Sequence, residues 1–124
     1  MIENKSQLKN GDVVLSSKGS IGIVYKNLSQ IGAEWNVIKW VRNKNGDTIN
    51  KYRTLGMVND DFTFRYDRDN RITRVWRPIN YRQIGDIDCT MQNGDDIYKY
   101  SVKEVTMDEV EAKFGCKVKI KNND

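Results

Sequence analysis

The segment at residues 62–78, FTFRYDRDNRITRVWRP, limits the fold of this chain more than any other part of it. Aromatic residues alternate with polar ones from position 62 to position 66, which is the pattern of a strand with one buried face. Polar turn residues follow at 67–70, and a β-rich run resumes at 72–77. The segment therefore predicts two short antiparallel strands joined by a tight turn, and with them a mainly β protein.

Turn signals elsewhere predict further hairpins. Asn45-Gly46 is the strongest of them, because this dipeptide favours the positive φ angles of a tight hairpin turn. A second turn at 16–19 precedes Gly22, which we expect to mark a bulge or a bend. The predicted strands are residues 8–15, 20–25, 34–42, 47–53, 62–66, 72–77, 87–91 and 97–102. Their spacing predicts an SH3-like barrel or a strongly rolled antiparallel sheet.

The C-terminal residues carry a different pattern. Thr106 and Glu109 form a capping box at the start of a predicted short helix, and Gly115 is placed to end it. Residues 116–121 then alternate apolar residues with lysine, as in a strand at the edge of a sheet. We therefore predict a C-terminal helix–strand extension of the β fold.

Composition indicates a single small domain. With 124 residues, of which 38% are hydrophobic and 31% are charged, the chain can bury one modest core. We predict one domain over residues 1–124, with a β-roll core at residues 8–78. The extension at residues 79–124, which adds two strands, a helix and a final strand, is expected to pack on that core.

The hydropathy and cysteine patterns bear on the compartment. No 18 consecutive apolar residues occur, and the first ten residues show no signal-peptide pattern. Cys89 and Cys116 form no CxxC pair, which favours free thiols in a reducing compartment. These patterns predict a cytoplasmic protein that does not associate with a membrane.

The chain contains no histidine, which excludes Ser-His-Asp and Cys-His catalytic sites and any zinc site that needs histidine. Two cysteines cannot complete a four-thiolate site. Asp86 and Asp88 are spaced to share one face of a strand, so a hydrolase with a carboxylate-bound magnesium ion stays open as an alternative. Because Gly-Asp pairs are typical of turns, we predict a non-enzymatic protein without metal, cofactor or catalytic residues.

Positive charge is concentrated in the middle of the chain. The net charge is +4, but residues 42–82 hold all eight arginines and two lysines against five aspartates, a net charge of +5. Guanidinium groups bind phosphate or carboxylate through two hydrogen bonds and stack on aromatic rings. The segment therefore predicts either a solvated strand pair, in which arginines pair with aspartates, or a binding surface.

Trp76 is the aromatic residue that we expect on such a surface. It follows Val75, so it faces away from the core if Val75 faces inward. An aromatic face beside guanidinium groups suits a nucleobase and its phosphate, and the same residue types are enriched in the hot spots of protein interfaces. The candidate binding residues are Trp40, Arg42, Arg65, Arg71, Arg74, Trp76, Arg77, Tyr81 and Arg82.

Three short motifs accompany the glycine-containing second strand: LKNGDVV at residues 8–14, NDDF at 59–62 and ITRVWRP at 72–78. Together they resemble small proteins of phages and mobile elements of Gram-positive bacteria. Those proteins are short SH3-like β-rolls with a Gly-Asp opening and an Ile-x-x-Val-x-Arg-Pro close. This chain departs from the pattern at Trp76, where tyrosine is more familiar, and in the residues that follow Pro78. The resemblance brings no catalytic residues with it.

The resemblance implies a phage-type counter-defence protein in the cytosol of a bacterial host. Such a protein would inhibit an antiviral system by sequestering a nucleotide-derived signal or by occluding a host immune protein. The concentration of arginine favours the nucleotide-like ligand. The alternative is a nucleic-acid-binding accessory protein that uses basic residues 42–82. A homo-oligomer formed by pairing of exposed strand edges also stays open.

Overall fold

A seven-stranded antiparallel sheet is the main structural element of the described residues. The computed structural model describes residues 1–30 and 33–101. The strands are β1 (Val13–Ser16), β2 (Ile21–Gln30), β3 (Ala33–Arg42), β4 (Thr48–Thr54), β5 (Thr63–Phe64), β6 (Asp67–Arg77) and β7 (Asp95–Lys99). One helix, α1 (Ile87–Asn93), precedes β7, and single 3-10 turns lie at Lys5–Gln7 and Leu55–Met57.

The order of the strands is β4-β3-β2-β1-β6-β5, and β7 also pairs with β6, beyond the part that pairs with β5. The sheet is strongly curled into a half-barrel, which confirms the prediction of a mainly β, rolled antiparallel fold. Curling brings the two end strands, β4 and β5, to face each other across an opening. We call this opening the seam.

Strand alternation divides the apolar residues between the two faces of the sheet. Val14 and Val75 point to the concave face, where they join the main core around Phe62. Their neighbours Val13 and Trp76 point to the convex face and form a second, smaller cluster. The side chains of Ile87 and Met91 in α1 pack against this second cluster. Each face of the central strands therefore packs against its own cluster of apolar side chains.

The two predicted N-terminal hairpins are confirmed. β1 pairs with β2 around a turn at 17–20, and β3 pairs with β4 around the Asn45-Gly46 turn, where Gly46 has φ +84°. The register between β2 and β3 shifts at Gly22, so the expected bulge is present. These hairpins depend on local turn residues and on the alternation of apolar and polar residues. Both patterns can be recognised in the sequence.

The turn predicted at residues 67–70 is wrong. Those residues belong to β6, and the turn between β5 and β6 is formed by Arg65 and Tyr66. The side chain of Asn70 accepts hydrogen bonds from Ser17 Oγ at 2.8 Å and from the Lys18 amide at 3.3 Å. These contacts with the β1–β2 turn hold residues 67–70 extended, although their composition favours a turn.

The strand predicted at residues 87–91 is also wrong, because this segment is α1. The carboxylate of Asp86 accepts a hydrogen bond from the Cys89 amide at 3.0 Å, which caps the N-terminus of the helix. The amide of Gly94 donates to the Thr90 carbonyl oxygen at its end. β7 follows at Asp95–Lys99, in place of the strand predicted at 97–102.

The predicted helix that starts at Thr106 and the predicted strand at 116–121 lie outside the described residues. Within residues 1–30 and 33–101, no helix combines the length and the apolar character needed to cross a bilayer.

Candidate functional site

Trp76 does not lie on a solvent-facing surface, so this expectation is wrong. Its side chain does point away from Val75, but only 5% of it is exposed, because α1 covers the convex face of the sheet. The guanidinium group of Arg74 lies 4.7 Å from the centre of its ring, at the border of the cluster. The indole therefore belongs to the apolar packing between the sheet and α1.

Three of the predicted arginines are engaged by aspartates. Arg77 binds both carboxylate oxygens of Asp12, with nitrogen–oxygen distances of 2.9 and 2.8 Å. Arg42 binds both oxygens of Asp88 at 3.0 and 3.2 Å. The third pair joins Arg74 to Asp96. In each case a carboxylate already occupies the position that a ligand phosphate would need.

Arg71 is engaged by uncharged groups. Its guanidinium group donates to the Asp61 carbonyl oxygen at 2.8 Å and to the Tyr98 hydroxyl at 2.7 Å. It also stacks on the ring of Tyr100, 3.6 Å from the ring centre. Arg71 thus connects β6 to β7 and to the loop before β5, which is a structural role.

The remaining predicted residues lie on separate surfaces. Arg65 is exposed in the turn between β5 and β6, whereas Tyr81 and Arg82 are exposed in the loop between β6 and α1. Trp40 is half-buried in β3, on the concave side of the sheet. The nine predicted residues therefore do not form one contact surface.

The seam of the half-barrel contains a groove of about 560 Å³, which we call the seam groove. Its lining includes Ile38 and Trp40 from β3, Lys51 and Arg53 from β4, Phe64 from β5, and Tyr66 from the following turn. The rings of Trp40 and Phe64 meet edge to face, with their centres 5.9 Å apart. The groove thus has an aromatic floor that is continuous with the main core.

The absence of a side chain at Gly22 in β2 allows this floor to form. A Cβ atom on Gly22 would lie 2.6 Å from the Ile38 side chain and 2.9 Å from the ring of Trp40. Because such distances are too short for non-bonded carbon atoms, only glycine lets both side chains lie directly over β2. Gly22 therefore sets the depth at which Trp40 lies in the groove.

The β4 side of the groove is cationic. Lys51 is the cross-strand neighbour of Trp40, and Arg53 lies two residues further along the same strand. Within the described part of the chain, neither side chain forms an ion pair with an acid. On the opposite side, Asp67 is paired with Lys18 at 2.7 Å. The groove therefore presents two cations that are available to an anionic group.

Sequence reasoning included Trp40 among the candidates but missed Lys51, Arg53, Phe64 and Tyr66. The register of the Asn-Gly hairpin was the available signal, since it places residues of 47–53 opposite those of 34–42. No local pattern shows that β4 and β5, which lie far apart in the strand order, face each other. That juxtaposition results from the curl of the whole sheet.

The carboxylates proposed for magnesium have other partners. Asp86 caps α1, and Asp88 is held by Arg42, whose hydrogen bonds and charge lower the pKa of Asp88 below its ordinary value of 3.8. On a helix, the two residues do not share a face as they would on a strand. In the part of the chain that the structure describes, no three Asp, Glu or Cys side chains are grouped as a metal site.

No known family model, curated protein or solved structure with which the chain was compared matches it. The likeness to phage and mobile-element proteins stays a prediction from three short motifs. The geometry of the seam groove is therefore the main basis for a functional proposal.

Proposed function

We propose that this chain is a non-enzymatic binding protein that holds a phosphorylated, nucleotide-like ligand in the seam groove. The observation that carries the proposal is the pairing of an aromatic floor with two available cations on one wall. Trp40 and Phe64 form the floor, and Lys51 and Arg53 line the wall. A planar base can stack on one of these rings and meet the edge of the other, while its phosphate accepts hydrogen bonds from the ammonium and guanidinium groups.

Tyr66 supplies a second ring at the rim of the same groove. Its side chain is largely exposed, and it occupies the tight turn between β5 and β6. An exposed ring held by a tight turn can cover a bound base at little cost in conformational freedom. The volume of the groove, about 560 Å³, lies within the range of sites for small ligands.

The setting that we propose is counter-defence by a phage-type protein. Capture of a nucleotide-derived signal would lower its free concentration and so silence the bacterial antiviral enzyme that responds to it. This role needs affinity and abundance rather than catalysis.

Binding of nucleic acid is the alternative, and one observation favours the small ligand over it. Arg42, Arg74 and Arg77 are each paired with an aspartate, so much of the positive charge of residues 42–82 is already neutralised. A protein that follows a polyphosphate backbone needs several free cations along one surface.

The test is titration calorimetry with a panel of cyclic nucleotides and ADP-ribose derivatives. We expect one class of compound to bind the wild-type protein. The Lys51→Ser/Arg53→Ser variant should bind it at least about tenfold more weakly, because charge-assisted hydrogen bonds are lost. Tyr66→Ala should also weaken binding about tenfold, because one stacking partner is removed.

The matched control is Lys9→Ser/Lys99→Ser, which removes the same charge from exposed positions outside the groove. Equal losses in both double variants would indicate a general charge effect and contradict a defined site. Absence of heat with every compound would remove the nucleotide proposal. Binding of single-stranded oligonucleotides, with an affinity that falls steeply as salt increases, would favour the alternative.

A further inference from the structure

The loop between β6 and α1 exposes a cluster of large apolar side chains. Ile79, Tyr81 and Ile84 are 57%, 77% and 51% exposed. Eight large apolar residues are exposed in the described part of the chain, and three of them lie within residues 79–84. Arg82 lies between them and is also exposed. We call residues 79–84 the apolar loop.

Hydrogen bonds fix the shape of the apolar loop. Gln83 is buried, and its side-chain carbonyl oxygen accepts from the Ile79 amide at 2.9 Å. Its backbone carbonyl oxygen accepts from the Thr90 hydroxyl at 2.8 Å, which ties the loop to α1. The side chain of Asn80 accepts from the Arg82 amide at 3.0 Å. The loop therefore presents its exposed residues from an ordered backbone.

The apolar loop and the seam groove lie at opposite ends of β1 and β6. The loop follows Arg77, and both Pro78 and Ile84 lie close to Gly11, just before β1. The groove instead reaches Ser16 and Asn70, at the other ends of these strands. The two surfaces can therefore be occupied independently.

We propose that the apolar loop is a docking surface for a partner protein that presents an apolar pocket beside a carboxylate group. Tyrosine and arginine are the residue types that dominate hot spots of protein interfaces, and isoleucine adds apolar area. An ordered loop loses little conformational entropy on binding. Arg82 has no acidic partner among the described residues, and it lies beside Tyr81, 5.9 Å from the ring centre.

Charge distinguishes this partner from two others. In a symmetric dimer through the loop, the two copies of Arg82 would face each other, and this repulsion disfavours a second copy of the chain. An anionic membrane is disfavoured because its negative charge is continuous and would also face the exposed Asp86, four residues after Arg82. A folded partner can place a single carboxylate beside Arg82 without extending negative charge to Asp86.

The test is a selection from a library of short random peptides against the full wild-type protein. We expect enriched peptides that combine an aromatic or aliphatic residue with neighbouring Asp or Glu. Their affinity should fall about tenfold or more in Tyr81→Ser and again in Arg82→Glu. Tyr52→Ser, an exposed tyrosine outside the loop, and Lys9→Glu serve as matched controls with unchanged affinity.

Three results would overturn the proposal. The first is the absence of enriched peptides, or enriched peptides that bind Tyr81→Ser and the wild type equally. The second is loop-dependent self-association in sedimentation experiments, which would assign the surface to a second copy. The third is binding to vesicles of anionic phospholipid that Tyr81→Ser abolishes. A failure of nucleotides to bind would leave this proposal unaffected, because the two surfaces are separate.

Discussion

Arg77 near the end of β6 binds the buried carboxylate of Asp12 through two nitrogen atoms, at 2.9 and 2.8 Å. Asp12 is completely buried, whereas the Arg77 side chain is 23% exposed. The hydrogen bonds to Asp12 raise the pKa of Arg77 above its ordinary value, so the guanidinium group stays charged. The pair joins the end of β6 to the start of β1.

Removal of Arg77 should strongly destabilise the protein. In Arg77→Met the carboxylate of Asp12 stays buried without its cation, which costs about 3–5 kcal/mol in the free energy of unfolding. Arg74→Met is the control, because its partner Asp96 is 40% exposed, whereas Asp12 is completely buried, and the Arg74–Asp96 pair should contribute about 1 kcal/mol or less. Urea unfolding followed by circular dichroism measures both. If both variants lost a similar amount of free energy of unfolding, burial of Asp12 would not be the reason that Arg77→Met is destabilised.

Trp76 should affect stability and not ligand binding. Trp76→Ala removes the largest side chain under α1, so we expect a loss of about 3–5 kcal/mol in the free energy of unfolding. Tyr81→Ala changes an exposed aromatic residue and should stay within about 0.5 kcal/mol of the wild type. Chemical denaturation of both variants is the measurement. A stable Trp76→Ala protein would contradict the packing of α1 on the sheet.

Gly22 should not tolerate a methyl group. In Gly22→Ala the new Cβ would lie 2.6 Å from the Ile38 side chain, and the strain should lower the free energy of unfolding by about 1–3 kcal/mol. Gly56→Ala is the control, since its nearest side-chain atom would be 3.6 Å away. Thermal unfolding compares the two, and tryptophan fluorescence should report displacement of Trp40 only in Gly22→Ala. Equal stability of both variants would refute the close approach at Gly22.

Protonation of Asp88 at acid pH should lower the free energy of unfolding. Arg42 lowers the pKa of Asp88 in the folded protein, through hydrogen bonds first and charge second, below the value of 3.8 expected when unfolded. The stabilisation is therefore present above that value and is lost as the pH falls through the folded pKa. Asp88→Asn should be less stable than the wild type near neutral pH, and the difference should shrink steadily as the pH falls below 3.8.

Thermal unfolding over this pH range tests the Asp88 prediction. Asp60→Asn is the control, because Asp60 is an exposed aspartate that has no ion pair with a described residue. A difference between wild type and Asp88→Asn that persists at low pH would show that the side chain acts through packing or capping and not through its charge.

The wrong assignment of residues 87–91 and the wrong exposure of Trp76 have one cause. The prediction that Trp76 points away from Val75 is correct, but the element that covers it is the helix α1 and not the predicted strand. The capping signals, Asp86 before the segment and Gly94 after it, were present in the sequence. A prediction of this helix over the convex face would have implied that the indole of Trp76 is buried.

Local residues determined the hairpins and the class of fold, because alternation and turn residues act over a few neighbouring positions. Tertiary structure alone decided which lysine and arginine side chains are free of an acidic partner and can bind a ligand. Arg77 finds Asp12 across 65 positions and Arg42 finds Asp88 across 46, whereas Lys51 and Arg53 have no acidic partner among the described residues. Ion pairing and burial depend on which distant segments the curled sheet brings together, and a one-dimensional pattern of charges does not contain that information.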